Sequence, residues 1–263
     1  MNSLKWFALI ILGIALHAGT AKADPTDGLT GEQIAGRIVQ GSAFDWDGAR
    51  TRMKMTLVAK DGGKRERALD ILARKNGGLV QTVVRFMTPA DVAGTAFLLL
   101  EQKGGGSDQY IYLPGLRRTR RIVGREREGS FMGSDFTYAD LRRADANVAN
   151  HKRLANEKVG NDATVVVEST PKHADKSPYS KIQTWVRTSD FVPLRTKFYD
   201  TKGQLFKTLY ARRLGKLEGK PVVMEARMEN HLTGSATLLV IESIERQASL
   251  PDSAFTPTAL EHR

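Results

Sequence analysis

Side chains able to do covalent or acid–base chemistry are sparse and scattered in this chain. Histidines fall at 17, 151, 173, 231 and 262. They are singletons, without the four-residue spacing that puts two imidazoles on one helical face for a metal. There is no cysteine, which removes thiolate chemistry, disulfides and a lipid-modified cysteine together. Gly133-Ser134-Asp135 departs from the G-x-S-x-G nucleophile elbow, and Gly104-Gly105-Gly106 lacks the Lys-Ser/Thr of a phosphate loop. These patterns predict no catalytic residue, no metal centre and no cofactor. Binding chemistry, by contrast, concentrates between residues 108 and 143. Tyr110-Ile111-Tyr112-Leu113 precedes Arg117, Arg118, Arg120, Arg121, Arg125 and Arg127, and Phe131-Met132-Gly133-Ser134-Asp135-Phe136-Thr137-Tyr138 follows. Guanidinium forks match phosphate oxygens, and aromatic rings supply apolar contact. Such a surface suits a partner that is apolar and anionic at once, as a phospholipid or a lipidated chain is.

The start of the chain supports the same class of partner. Residues 1–23 read as a cleaved signal peptide: Lys5 is basic, Trp6 to Leu16 is apolar but short for a bilayer span, and Ala21-Lys22-Ala23 is the cleavage site. The alternative is an uncleaved anchor. Residues 24–263 are then expected to be one periplasmic domain. The formal charge is +11 and falls to +9 once Lys5 and Lys22 leave with the first segment. Export argues against nucleic acid as the partner of that charge. It leaves phospholipid head groups, lipopolysaccharide or an acidic protein face, or else charge that serves solubility alone.

The elements that must position these residues are mostly strands. Ile34 and Ile38, four apart, predict one helix over residues 31–39, with Thr30 as its cap. Period-two alternation begins at Met53, Met55 and Leu57. Strands are expected over 64–74, 79–86, 95–102, 109–113, 163–169, 179–187, 192–199, 204–212, 222–229 and 236–243. Turns at Asp61-Gly62-Gly63, Asn76-Gly77-Gly78, Asp200-Thr201-Lys202-Gly203 and Thr233-Gly234 separate several of them. About ten strands with tight turns mean an antiparallel meander, barrel or sandwich. Residues 139–143 read as a short helix capped by Ser134 or Asp135. The tail from Leu250 to Leu260 reads as irregular, with Phe255 packing back.

Several strings bear a family resemblance. Phe86-x-x-Pro89-x-Asp91-x-x-Gly94-Thr95-Ala96-Phe97-Leu98, Tyr110-Ile111-Tyr112-Leu113-Pro114-x-Leu116-Arg117-Arg118-x-Arg120-Arg121-Ile122 and Phe131-Met132-Gly133-Ser134-Asp135-Phe136-x-Tyr138-x-Asp140-Leu141 resemble the outer-membrane lipoprotein-sorting-like (LolA-like) family of exported proteins. Tyr179-Ser180-Lys181, Pro193-Leu194-Arg195 and Tyr199-Asp200-x-x-Gly203 agree. The resemblance implies an incomplete antiparallel β-barrel around an apolar cavity, with a helical lid. It implies a carrier that shields acyl chains between envelope membranes, with an inner-membrane transporter of the resistance-nodulation-division type as a partner. It brings no catalytic residues.

On this basis Phe86, Phe97, Tyr110, Tyr112, Phe131, Phe136 and Tyr138 are expected at the cavity or its mouth, the alternative being ordinary core. Arg120 and Arg121 point to opposite faces if they lie on a strand. One of them is expected to meet a head group, and the other to pair with Asp135 or Asp140 as a lid lock, the alternative being a solvated face balanced by Glu126 and Glu128. The expected function is a periplasmic carrier of a lipid or lipidated protein, able to dock on an anionic membrane. The other reading is an accessory subunit of a transporter that carries nothing.

Overall fold

Apolar–polar alternation punctuated by glycine turns folds here into a single meander. The computed structural model describes residues 24–40, 48–104, 106–142, 146–247 and 249–262. The expected signal peptide, residues 1–23, lies outside these, as do Phe44 and Trp46. Among the described residues the strands are β1 (Gly48–Val58), β2 (Lys64–Asn76), β3 (Leu79–Thr88), β4 (Ala96–Glu101), β5 (Ser107–Leu113), β6 (Arg118–Arg121), β7 (Ala149–Val159), β8 (Asp162–Pro171), β9 (Lys181–Arg187), β10 (Pro193–Tyr199), β11 (Leu205–Leu217), β12 (Lys220–Asn230) and β13 (Ala236–Arg246). They form one sheet in the order β6-β5-β4-β3-β2-β1-β13-β12-β11-β10-β9-β8-β7. Every neighbouring pair is antiparallel, and β6 does not pair with β7, so the barrel is incomplete.

Register sorts the side chains onto two faces. On the inner face the pairs Leu69↔Phe86, Val84↔Phe97 and Phe97↔Ile111 run toward β6, and Met55↔Leu239 and Leu209↔Met228 run toward β11. These residues join Tyr179 and Phe198 in one apolar cluster. On the outer face Leu72, Val83, Leu98, Tyr110 and Tyr112 meet the C-terminal segment, where Phe255 and Leu260 are buried. That segment, expected to be irregular, makes two single 3-10 turns over Asp252–Phe255 and Thr258–Glu261. Two arginines strap it down. Arg74 donates to the Leu250 carbonyl at 2.7 Å, pairs with Asp252 at 2.6 Å and lies 4.5 Å over the Phe255 ring. Arg85 donates to the carbonyls of Ala259 and Leu260.

The expected helix is α1 (Gly31–Gln40). Thr30 Oγ1 accepts from the Gln33 amide at 3.2 Å and Gln33 Oε1 accepts from the Thr30 amide at 2.8 Å, a reciprocal cap. Ile34 is buried against Val165, Val167 and Val186, so the helix covers the inner face at its β8–β9 end. The fit is close: a Cβ at Gly31 would run into the His151 carbonyl oxygen.

Candidate ligand-binding site

The inner face is capped at its centre by residues 129–142. This loop closes on itself. Phe131 N donates to Phe136 O at 2.7 Å, Tyr138 N to Gly129 O at 3.2 Å, and Ser134 Oγ to Phe131 O at 2.7 Å. Its tip turns through positive φ at Met132 (51°) and Gly133 (74°), and Gly133 has no Cβ to oppose that conformation. The turn over Tyr138–Leu141 is a 3-10 turn capped by Thr137, not by Ser134 or Asp135 as the sequence suggested. Thr137 takes that place because its amide donates to Asp140 Oδ2 at 2.7 Å while Asp140 N reaches Thr137 Oγ1 at 3.3 Å.

The loop drives its rings into the sheet. Phe131 lies 5.7 Å from Phe86 and 5.3 Å from Phe97, centroid to centroid, and Tyr138 lies 5.8 Å from Phe97. Phe136 is buried in the same cluster. The seven aromatics singled out in the sequence are therefore divided. Phe86, Phe97, Phe131, Phe136 and Tyr138 share the inner face. Tyr110 and Tyr112 sit on the outer face beneath the C-terminal segment, because strand alternation gives the inner positions of β5 to Gln109 and Ile111.

Polar contacts fix the loop to four strands. Arg67 of β2 donates to the Met132 carbonyl, and Gln109 of β5 donates to the Tyr138 carbonyl at 2.9 Å. Asp135 accepts from Ser235 at 2.5 Å and from Thr237 of β13 at 2.8 Å. Lys207 of β11 donates to Asp140 Oδ2 at 2.5 Å and to the Asp135 carbonyl at 3.2 Å. One short loop reaching β2, β5, β11 and β13 requires the sheet to curl around it. Tyr179 completes the arrangement, donating its hydroxyl to Asp140 Oδ1 at 2.7 Å.

The electrostatics follow from burial. Lys207 has a relative exposure of 0 % and is ringed by Tyr179, Phe198 and Phe206 at 5.3, 5.4 and 5.3 Å. Loss of hydration pulls its pKa below the ordinary lysine value, and the charge of Asp140 opposes that pull. Burial pushes the Tyr179 hydroxyl well above the ordinary tyrosine range, and the neighbouring Asp140 pushes the same way. Burial also lowers the pKa of Arg67, which lies 5.8 Å over the Phe86 ring.

The lock expected between Arg120 or Arg121 and Asp135 or Asp140 does not form. Arg120, opposite Ile111, takes the inner side and pairs with Glu126 at 2.6 Å. Arg121, opposite Tyr110, takes the outer side and pairs with Asp108 of the adjacent strand. Both find acids nearby, while the loop aspartates turn inward to β11 and β13. Lys207, Tyr179 and Arg67 hold the loop instead. Lys207 had one usable signal: it shares the parity of Leu209 and Ala211, the buried side of its strand.

One rim of the curl combines exposed apolar and basic side chains. Met87, Leu116 and Leu232 are 54 %, 70 % and 61 % exposed, each at or beside a turn. Gly94 lies against Pro114, and Gly234 against Lys60, so the turns join in pairs along this rim. Arg117 and Arg118 flank Leu116 and are exposed.

Fold and site define a class: half-open antiparallel barrels whose apolar inner face is covered by a helix and a loop. A family model described only as an uncharacterized protein family matches residues 78–262. No curated protein matches the chain. A solved domain from Vibrio parahaemolyticus, described as outer membrane lipoprotein-sorting, is 30 % identical with a TM-score of 0.83, over 88 % of this chain and 98 % of that one. A DUF1329 family protein from Desulfovibrio piger is 27 % identical with a TM-score of 0.83, over 90 % and 100 %. A LolA superfamily protein from Nitrosomonas europaea shares the fold at 22 % identity and a TM-score of 0.69, over 87 % and 98 %. The chain belongs to the outer-membrane lipoprotein-sorting-like family.

Proposed function

We propose that this protein, as a single domain over residues 24–263, is a periplasmic carrier that binds the acyl part of a lipid or lipidated protein on the inner face of its sheet. The observation that carries the reading is the 129–142 loop. It keeps its own hydrogen bonds and presents Phe131, Phe136 and Tyr138 as a removable apolar cover over Phe86 and Phe97. Swinging out, it would leave an aromatic trough. Transfer of an acyl chain from water to such a trough is worth about 0.8 kcal/mol per CH₂. Transfer from a bilayer is nearly balanced, so direction comes from donor and acceptor contacts. The sorting role in the description of the Vibrio relative supports this reading. The rim with Leu116, Arg117 and Arg118 suits docking on an anionic membrane.

The filled inner face favours one other reading, an accessory subunit of an inner-membrane transporter that carries no cargo. Native mass spectrometry with organic extraction separates the two, on protein purified from the cell envelope without detergent. Near-stoichiometric lipid is expected. A clean apo mass, with no uptake from labelled vesicles or lipopeptide, would sink the carrier.

A further inference from the structure

We infer that Lys207 is the receptor for the anionic head of an amphiphilic ligand, a phosphate or carboxylate that takes the place of the Asp140 carboxylate when the 129–142 loop leaves the inner face. The inference rests on the carrier reading and adds the ligand's charge to it.

The argument starts from the ammonium group. Lys207 is fully buried among three rings, and both of its acceptors, Asp140 Oδ2 and the Asp135 carbonyl, belong to the loop. Arg67, four strands away around the curl and 8 % exposed, donates to Met132, again of the loop. A loop that bonds to itself moves as a unit. Its departure therefore strips oxygen partners from two buried cations at once. With a neutral chain in the place of the loop, the ammonium would have neither water nor counter-ion, a state far costlier than the paired one. A neutral hydrocarbon filling the space of Phe131 would do nothing for it. An amphiphile with an oxyanion head restores what is lost: its chain lies over Phe86 and Phe97 where Phe131 was, and its oxygens accept from Lys207 where Asp140 did. Asp140 then acts as the resident stand-in for the ligand's charge. Loop and ligand compete for one cation, which couples opening to the arrival of cargo.

The test compares ligands of one chain length on the intact mature protein by displacement of a fluorescent apolar probe. The probes are dodecyl phosphate, dodecanoate, dodecanol and inorganic phosphate. Dodecyl phosphate and dodecanoate are expected to bind at least tenfold more tightly than dodecanol, with inorganic phosphate showing no displacement. Lys207→Met, which keeps the length and removes the charge, should equalise the anionic and neutral ligands while retaining dodecanol. Asp140→Asn, which weakens the hold of the loop, should tighten dodecyl phosphate and dodecanol alike several-fold, since both must displace the loop, and keep the tenfold preference for the anion. Loss of that preference with Lys207 in place overturns the inference. Equal affinity of the wild-type protein for dodecyl phosphate and dodecanol overturns the inference and leaves the carrier standing. Binding of inorganic phosphate as tight as that of dodecyl phosphate also overturns it, since the site would then read the anion alone. Failure of every twelve-carbon ligand removes the carrier reading, and this one with it. The wild-type comparison and Asp140→Asn keep the question decidable if Lys207→Met does not fold.

Discussion

Phe131 meets Phe97 edge-on, with ring centroids 5.3 Å apart and planes inclined at 65°. The contact joins the covering loop to the floor of the sheet, so it bears on stability and on opening together. Phe131→Ala should cost about 3–5 kcal/mol, as phenylalanine truncation in a core does. It should also speed uptake of a fluorescent fatty acid from vesicles. Urea unfolding and stopped-flow uptake measure the two effects. Loss of stability with unchanged uptake would mark Phe131 as core and nothing more.

Asp140 and Lys207 form a pair whose halves are unequal to the whole. Asp140→Asn alone leaves a buried ammonium without its counter-ion, at about 3–5 kcal/mol. Replacing both, Lys207→Met with Asp140→Asn, should be much milder, because no charge is stranded and the Asn carbonyl can still accept from Tyr179. A double-mutant cycle in urea is expected to show strong coupling, and additive losses would mean that the two do not act as a pair.

Tyr179 sets a limit on the alkaline side. Its folded pKa lies above the ordinary value of 10.0, through burial first and Asp140 second. Above that pH the unfolded chain releases the phenolic proton and the folded one holds it. The stability Tyr179 supplies is therefore complete below about pH 10 and is lost as pH rises toward the folded value. Lys207, shifted downward, has the opposite sign, and its burden lightens as pH climbs through its folded pKa toward 10.5. Tyr179→Phe should lower stability by about 1.5–3 kcal/mol at neutral pH, the worth of a hydrogen bond to a charged group. Its unfolding midpoint should fall less steeply than the wild type's above pH 10. Parallel curves would refute the assignment.

Arg117 and Arg118 test membrane docking separately from cargo. Near an anionic surface each basic residue contributes about 1 kcal/mol, so the double change Arg117→Gln, Arg118→Gln should weaken binding to phosphatidylglycerol vesicles roughly 30-fold at low salt. High salt should shrink the difference. Sedimentation with vesicles reads it, and an unchanged bound fraction would put docking elsewhere.

The strands legible in the sequence were those with one wet and one dry face, such as β1, with Met53, Met55 and Leu57 at alternate positions. Two strands were illegible for the same physical reason. β7, Ala149–Val159, is mostly polar with only partial burial, and β6 is Arg118-Thr119-Arg120-Arg121. Their pairing with β5 and β8 rests on backbone hydrogen bonds, which leave no hydrophobic period to read. The loop strings were recognisable, and so was the inward placement of Phe131, Phe136 and Tyr138 in kind. The partner of Asp140 was not. A lysine between Phe206 and Thr208 reads as solvated until the β10 register sets it opposite Phe198. The family resemblance puts Tyr110 and Tyr112 at the cavity or its mouth, and parity within β5 gives the inner face to Gln109 and Ile111 instead.

Among the described residues the sheet ends in two margins without a strand partner, β6 and β7, and such margins are templates on which further copies of a chain can polymerise. Here each margin is guarded. β6 presents Arg118, its Arg120 and Arg121 being paired with Glu126 and Asp108, and β7 presents Lys152 and Lys158 with its ladder broken between Arg153 and Asn156. Two copies approaching β6 to β6 set Arg118 against Arg118, and β6 to β7 sets it against Lys152 and Lys158. Self-repulsion thus takes over the protection that closure gives to a complete barrel, and the gap in the wall can persist without seeding fibres.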